Sequence, residues 1–287
     1  MKCNWNISGT YLSLILFALI LFNCNKIEND EKLNIDTAND NLESKVVLGT
    51  LDWAPYVSKN LPGNGYVYKL VERIFLEEGI EVEIRFYPFA RILRLMEEGK
   101  LDGYFPEYLD EDNKDVFYSR PYPGGDVGFM KLGSMSLNEQ IPKGMKEFSA
   151  LKQFKFGVVR GYVNTEAFDD SDYLLKEEAT NDLSNLKKLL FRRVDLIFID
   201  PNVGNYLIQE KLSKSKLSND KIEFIEPGLE YKNLYTCFPV KKDKSKFLLE
   251  KFNSGLEKLK ASKTMDKILS ESGFTGGRYL GVEEGKK

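Results

Sequence analysis

The 287-residue sequence contains no histidine, and that absence removes whole classes of chemistry. Ser-His-Asp and Cys-His catalysis need an imidazole as base, and the commonest zinc sites need one as ligand. Of the three cysteines, Cys3 and Cys24 fall within the first 24 residues, which leaves Cys237 alone in the rest of the chain. One thiol builds neither a thiolate cluster nor an internal disulfide, so stability must come from a buried core. Carboxylates are plentiful, at 44 Asp and Glu, so enzymes built on carboxylate pairs stay open. The net charge of −3 carries no electrostatic footprint for nucleic acid. Two charged residues stand where they could work. Arg91 lies on the first turn of a predicted helix, either as a fork for an anion or as a solvated surface arginine. Asp200 ends an apolar run before Pro201, a pair that suits a helix start.

The elements that must position these groups alternate from Lys45 onward. Val46 to Leu51 reads as a short strand. Val67, Leu70, Val71, Ile74 and Phe75 form a helical stripe that Gly79 stops. Glu81 to Tyr87 alternates as a half-buried strand, a helix from about Phe89 to Glu98 ends at Gly99, and Leu101 to Phe105 is a further strand. The pattern restarts with a strand at Lys155 to Val159, a helix at Leu183 to Phe191, a strand at Val194 to Ile199 and a helix at Asn202 to Lys211. Leu95 to Asp102 and Leu189 to Asp195 share an outline: apolar helix end, basic residue, aliphatic-Asp pair, then strand. Two such units imply two α/β lobes with crossover helices, or chance likeness of two α/β pieces. Leu248, Phe252, Leu256 and Leu259 mark a C-terminal helix, Met265, Ile268 and Leu269 a shorter one, and Glu283 to Lys287 a frayed tail.

At the N-terminus, Tyr11 to Phe22 is almost wholly apolar, too short to span a bilayer comfortably, and preceded by Lys2. It reads as a signal-peptide core, with an uncleaved anchor as the alternative. Leu21-Phe22-Asn23-Cys24 resembles the loosened lipobox of spirochaete lipoproteins; Asn23 departs from the stricter pattern, where a small residue is usual. The expected organisation is a signal peptide at 1–23, lipidated Cys24 opening a flexible tether over 24–44, and the folded chain outside the cytoplasm.

Six motifs in order resemble the family 3 bacterial extracellular solute-binding proteins: Trp53-Ala54-Pro55-Tyr56, Gly99 to Gly103, Phe117 to Tyr122, Gly157 to Tyr162, Arg193-Val194-Asp195-Leu196 leading to Asp200, and Phe252-Asn253. The resemblance covers roughly Lys45 to Phe274. It implies a two-lobed periplasmic-binding-protein-like α/β fold (type II), each lobe a mostly parallel sheet flanked by helices. The first lobe would span 45–125, the second 126–230, and 231–287 would complete the fold. Crossings would lie near Tyr122 to Gly128 and near Glu226 to Leu234. The ligand would sit between the lobes at the carboxyl ends of the strands.

On that resemblance Trp53, Tyr56 and Phe89 are expected to face the cleft, with Arg91 or Arg160 on an anionic ligand group. The loop Arg160 to Thr165, including Tyr162, would turn its amides to an anion. Asp200 would receive a ligand ammonium. One departure stands out. The amino-acid receptors carry an arginine before their "FS-x-PY", whereas Asp110-Glu111-Asp112-Asn113-Lys114-Asp115 stands here, a poor clamp for a carboxylate. The resemblance further implies a monomer without metal or cofactor, delivering an amino acid or related small anion or zwitterion to an ABC permease. A sensory or scaffold module is the alternative, with a dehydratase-like enzyme on the same fold behind it.

Overall fold

The computed structural model describes residues 45–137, 141–213 and 220–281. Residues 1–44, on which the expected signal peptide, Cys24 and the expected tether fall, and the Glu283 to Lys287 tail lie outside the described residues. Among those described, no helix is long and apolar enough to cross a membrane.

The first lobe opens with β1 (Val46–Thr50), α1 (Tyr66–Glu77), β2 (Val82–Phe86), α2 (Phe89–Glu97) and β3 (Gly103–Glu107). β2, β1 and β3 pair in parallel, in that order, so α1 and α2 are crossover helices. The apolar stripe of α1 is buried from Tyr66 to Phe75. Both helices stop on a left-handed glycine, Gly79 at φ +71° and Gly99 at φ +67°. The amide just after each glycine then returns to a carbonyl in the helix's last turn, Ile80 to Phe75 and Lys100 to Leu95. β4 (Val116–Tyr118) follows, then the long β5 (Tyr122–Leu132).

The second lobe holds β6 (Lys155–Val159), α3 (Glu166–Asp169), β7 (Leu175–Ala179), α4 (Asp182–Leu190), β8 (Leu196–Ile199) and α5 (Pro201–Leu207), which runs on through a π-helical turn at Ile208–Leu212. Its order is β5-β8-β6-β7, parallel among β8, β6 and β7 and antiparallel where β5 meets β8. Five phenylalanines, Phe129, Phe148, Phe156, Phe168 and Phe198, pack as one buried cluster here.

After β9 (Ile222–Phe224) comes β10 (Glu230–Pro239), antiparallel both to β3 and to β5. β5 and β10 therefore tie the two sheets together. Helices α6 (Ser245–Ala261) and α7 (Thr264–Glu271) return to α1, and a two-strand hairpin, β11 (Phe274–Thr275) and β12 (Arg278–Tyr279), ends the described chain. Glu78 anchors this return by accepting from Lys251, Lys258 and Ser254 of α6, and those bonds hold its carboxyl down to about 2.

The repeated unit seen in the sequence has one physical meaning in both lobes. Asp102 Oδ2 accepts the Val47 amide at 2.9 Å while its own amide donates to Val47 O at 2.8 Å. Asp195 does the same with Lys155, at 2.8 Å in both directions. Each aspartate thus pins the first strand of its lobe to the strand that follows the second crossover. Where the first lobe turns on Gly99, the second uses Arg192 at φ +54°.

Candidate functional site

In parallel α/β sheets the chain leaves each strand at the same edge, and here those exits converge on the seam between the lobes. Trp53 and Tyr56 follow β1, Glu107 ends β3 and Tyr108 follows it, Tyr162 follows β6, Asp182 follows β7, and Asp200 follows β8. A cavity of about 30 Å³ lies in this seam. Trp53, Phe89, Glu107 and Tyr108 of the first lobe and Tyr162 of the second are among its walls, with Leu234 of β10 behind them. Trp53 stacks on Tyr56 at 4.6 Å and meets Tyr108 edge-on at 5.9 Å. Phe89 meets Tyr162 edge-on at 5.4 Å across the seam. Room for about one water means the lobes are closed on each other, and a solute of amino-acid size requires them to part.

Three carboxylates sit buried around the cavity. Glu107 accepts the Tyr104 hydroxyl at 3.0 Å and the Tyr108 amide at 2.8 Å. Asp182 accepts, at 3.5 Å, from the Tyr162 hydroxyl, and the nearby Trp53 indole favours its charged form. Asp200 uses Oδ1 to accept the Asn202 and Val203 amides, capping α5, and Oδ2 to accept the Tyr56 hydroxyl at 2.6 Å. Burial pushes all three up to about 7, because their donors only partly replace lost hydration. Tyr108 is also buried, and its hydroxyl has no hydrogen-bond partner. Desolvation, and then the charges of Asp200 and Asp182 from the other lobe, push its phenol well up.

A groove of about 670 Å³ opens from the cavity to solvent, sharing Tyr162 and Val163 with it. Asp110, Glu111 and Asp112 line one side and Glu166, Asp169 and Asp170 the other. Lys232 is the buried cation there, with its ammonium over the Tyr108 ring at 5.3 Å. Burial lowers its basicity.

Of the residues singled out in the sequence, Trp53, Phe89 and Tyr162 meet at the cavity, and Tyr56 and Asp200 meet beside it. The two arginines do not join them. Arg91 is exposed, its guanidinium over the Tyr87 ring at 5.1 Å. The Arg160 side chain is 69% exposed and donates to Glu178 at 2.7 Å. In the loop to Thr165 two amides are taken within the chain, that of Tyr162 by Val159 O and that of Asn164 by Asp169. The Asn164 side chain goes to Asp169 as well. Thr165 is buried with an unpartnered hydroxyl and opens only the single turn of α3.

Glu107, Tyr108, Asp182 and Asn202 were not singled out. The first two continue β3 past Phe105, and Asp182 follows β7, whose Leu-Lys-Glu-Glu-Ala run carries little apolar signal. The rule that ligands meet strand ends would have found all three. Asn202 could not be found that way. It donates to the Tyr56 hydroxyl and to Gly277 O, and accepts the Tyr279 amide, so it fastens the C-terminal hairpin to the second lobe.

With this geometry in place, comparison with known proteins is informative. The model of bacterial extracellular solute-binding proteins, family 3, matches residues 46–273. A histidine kinase sensor domain with similarity to periplasmic binding proteins superposes with a TM-score of 0.68 at 17% identity, covering 84% of this chain and 98% of its own. The substrate binding protein of an amino acid ABC transporter gives 0.62 at 18% identity, covering 79% and 98%. An ancestral arginine-binding protein bound to arginine gives 0.64 at 21% identity, covering 80% and 98%. At such identities the likeness is one of fold, the two-lobed α/β architecture of periplasmic binding proteins. No curated protein sequence matches the chain.

Proposed function

The chain belongs to the family 3 bacterial extracellular solute-binding proteins, and on that premise we propose that it captures a small polar solute in the seam between its lobes and delivers it to a membrane ABC permease. The observation that carries this reading is the cavity walled by Trp53, Phe89 and Tyr108 from one lobe and Tyr162 from the other. Such a site is built by closure, because neither lobe supplies all its walls. Cys24 would anchor the protein to a membrane through lipid, with residues 25–44 as tether and the folded part acting as a monomer. No reaction belongs to this reading. The chain has no histidine, and Glu107, Asp182 and Asp200 are each held by donors rather than set beside a nucleophile.

A second reading, a sensory module that binds the same solute without feeding a permease, is favoured by the likeness to the histidine kinase sensor domain. A thermal-shift screen of amino acids, small carboxylates, amines and sugars tests the shared core of both readings, since a ligand that binds only the folded state raises its melting temperature. At least one class should raise it in a concentration-dependent way; no response from any class would remove both. Loss of uptake of that solute on deleting the gene separates transport from sensing.

A further inference from the structure

Resting on that reading of the seam as the solute site, we infer that its ligand is an organic cation, an alkylammonium or guanidinium compound without a carboxylate. Around the cavity three buried acids face one buried lysine, Lys232, which lies over the Tyr108 ring. Glu107 is on its wall, Asp182 is bonded to Tyr162, and Asp200 is bonded to Tyr56. The rest of the wall is aromatic, and the faces of Trp53, Phe89, Tyr108 and Tyr162 suit a cation leaving water. The Tyr108 ring belongs to this wall, and its buried hydroxyl is without a hydrogen-bond partner.

A carboxylate has no comparable welcome. The charge-assisted fork it needs is missing, because Arg91 and Arg160 both point to solvent. Asp169 already holds the Asn164 amide of the loop. Lys232 is the nearest cation, yet Glu107, Asp110, Asp169 and Glu230 act on it together, so an arriving anion meets an acidic surround. The seven carboxylates lining the groove outside the cavity, Glu230 among them, repel anions and draw cations inward. Lys232 over Tyr108 shows that an ammonium rests on this aromatic face.

Paired titration calorimetry of the full chain tests the inference with probes that differ only by a carboxylate: agmatine against arginine, and cadaverine against lysine, with glutamate alongside. The decarboxylated member of at least one pair should bind at least tenfold more tightly. Glu107→Gln, which keeps the shape and removes the charge, should weaken it at least tenfold while remaining folded by circular dichroism. Asp182→Asn provides the same test should Glu107→Gln fail to fold. Equal or tighter binding of the amino acid in both pairs, or best binding by glutamate, overturns the cation inference and leaves the solute-binding reading standing. Unchanged affinity in the folded variants also overturns it. Absence of binding by these probes and by the whole thermal-shift panel overturns both.

Discussion

Tyr56 donates a 2.6 Å hydrogen bond to Asp200, and this bond ties the first lobe to the second across 144 residues of chain. Asn202 donates to the same tyrosine oxygen at 2.8 Å. The cluster leaves no space beside it. A Cβ on Gly125 of β5 would stand 2.6 Å from Asp200 Oδ2 and 2.9 Å from Asn202 Nδ2, and would press on the Tyr56 hydroxyl. Gly125→Ala is therefore expected to break this junction and destabilise the chain by about 1–3 kcal/mol, the usual cost of overpacking a filled site. Urea unfolding measures it. An unchanged midpoint would show that the lobes are not clamped here.

The three seam acids make stability depend on pH in an unusual direction. Glu107, Asp182 and Asp200 keep their protons up to about 7 in the folded chain, whereas unfolded carboxyls release theirs near pH 4. Between those values the folded state binds more protons than the unfolded one. Stability therefore falls as pH rises toward 7 and levels off above it. Glu78, held down to about 2, acts oppositely, contributing stability above pH 4 that is lost as pH falls through 2. The ligand-free protein should be most stable near pH 5, with a melting temperature lower by at least about 4 °C at pH 8. Scanning calorimetry across that range checks this; a maximum at pH 8 contradicts it.

Arg91→Ala and Arg160→Ala should leave solute affinity within about twofold. Both guanidiniums are at the surface, and the exposed pair of Arg160 with Glu178 is of the kind worth about 0–1 kcal/mol. A tenfold loss in either variant would return the anion site to the position the sequence suggested.

What the sequence disclosed depended on whether the cause was local. Helix stops were legible because a left-handed glycine is a local demand, at Gly79 and Gly99 alike. The Leu101-Asp102 and Val194-Asp195 pairs were legible as a repeat, and the reciprocal bonds to Val47 and Lys155 give the reason. β5 was not legible. Tyr122-Pro123-Gly124-Gly125 has turn composition, yet it forms strand because Gly124 and Gly125 lie under Lys232 of β10 and the Tyr56 cluster, and only small residues fit. The fates of the charged candidates were set by partners distant in sequence. Arg160 went to Glu178, Asn164 to Asp169, and Asp200 to its own helix and Tyr56 at once.

Cys24 lies outside the described residues, and its acylation is a proposal the sequence alone supports. Metabolic labelling with palmitate should mark the wild type and not Cys24→Ala. Equal label on both forms would end the anchor assignment.

The central claim, that a solute is held between the lobes, is read most directly from Trp53. The sequence has two tryptophans, Trp5 and Trp53, so in Trp5→Phe the indole at the cavity wall is the sole emitter. Titrating that chain with the solutes of the thermal-shift panel should produce a saturable change in Trp53 emission. Its midpoint should match the calorimetric affinity, with one solute per chain. A solute that binds by calorimetry yet leaves Trp53 emission unmoved, or that binds Trp53→Ala and Tyr162→Ala as tightly as the wild type, would place the site elsewhere and contradict the account.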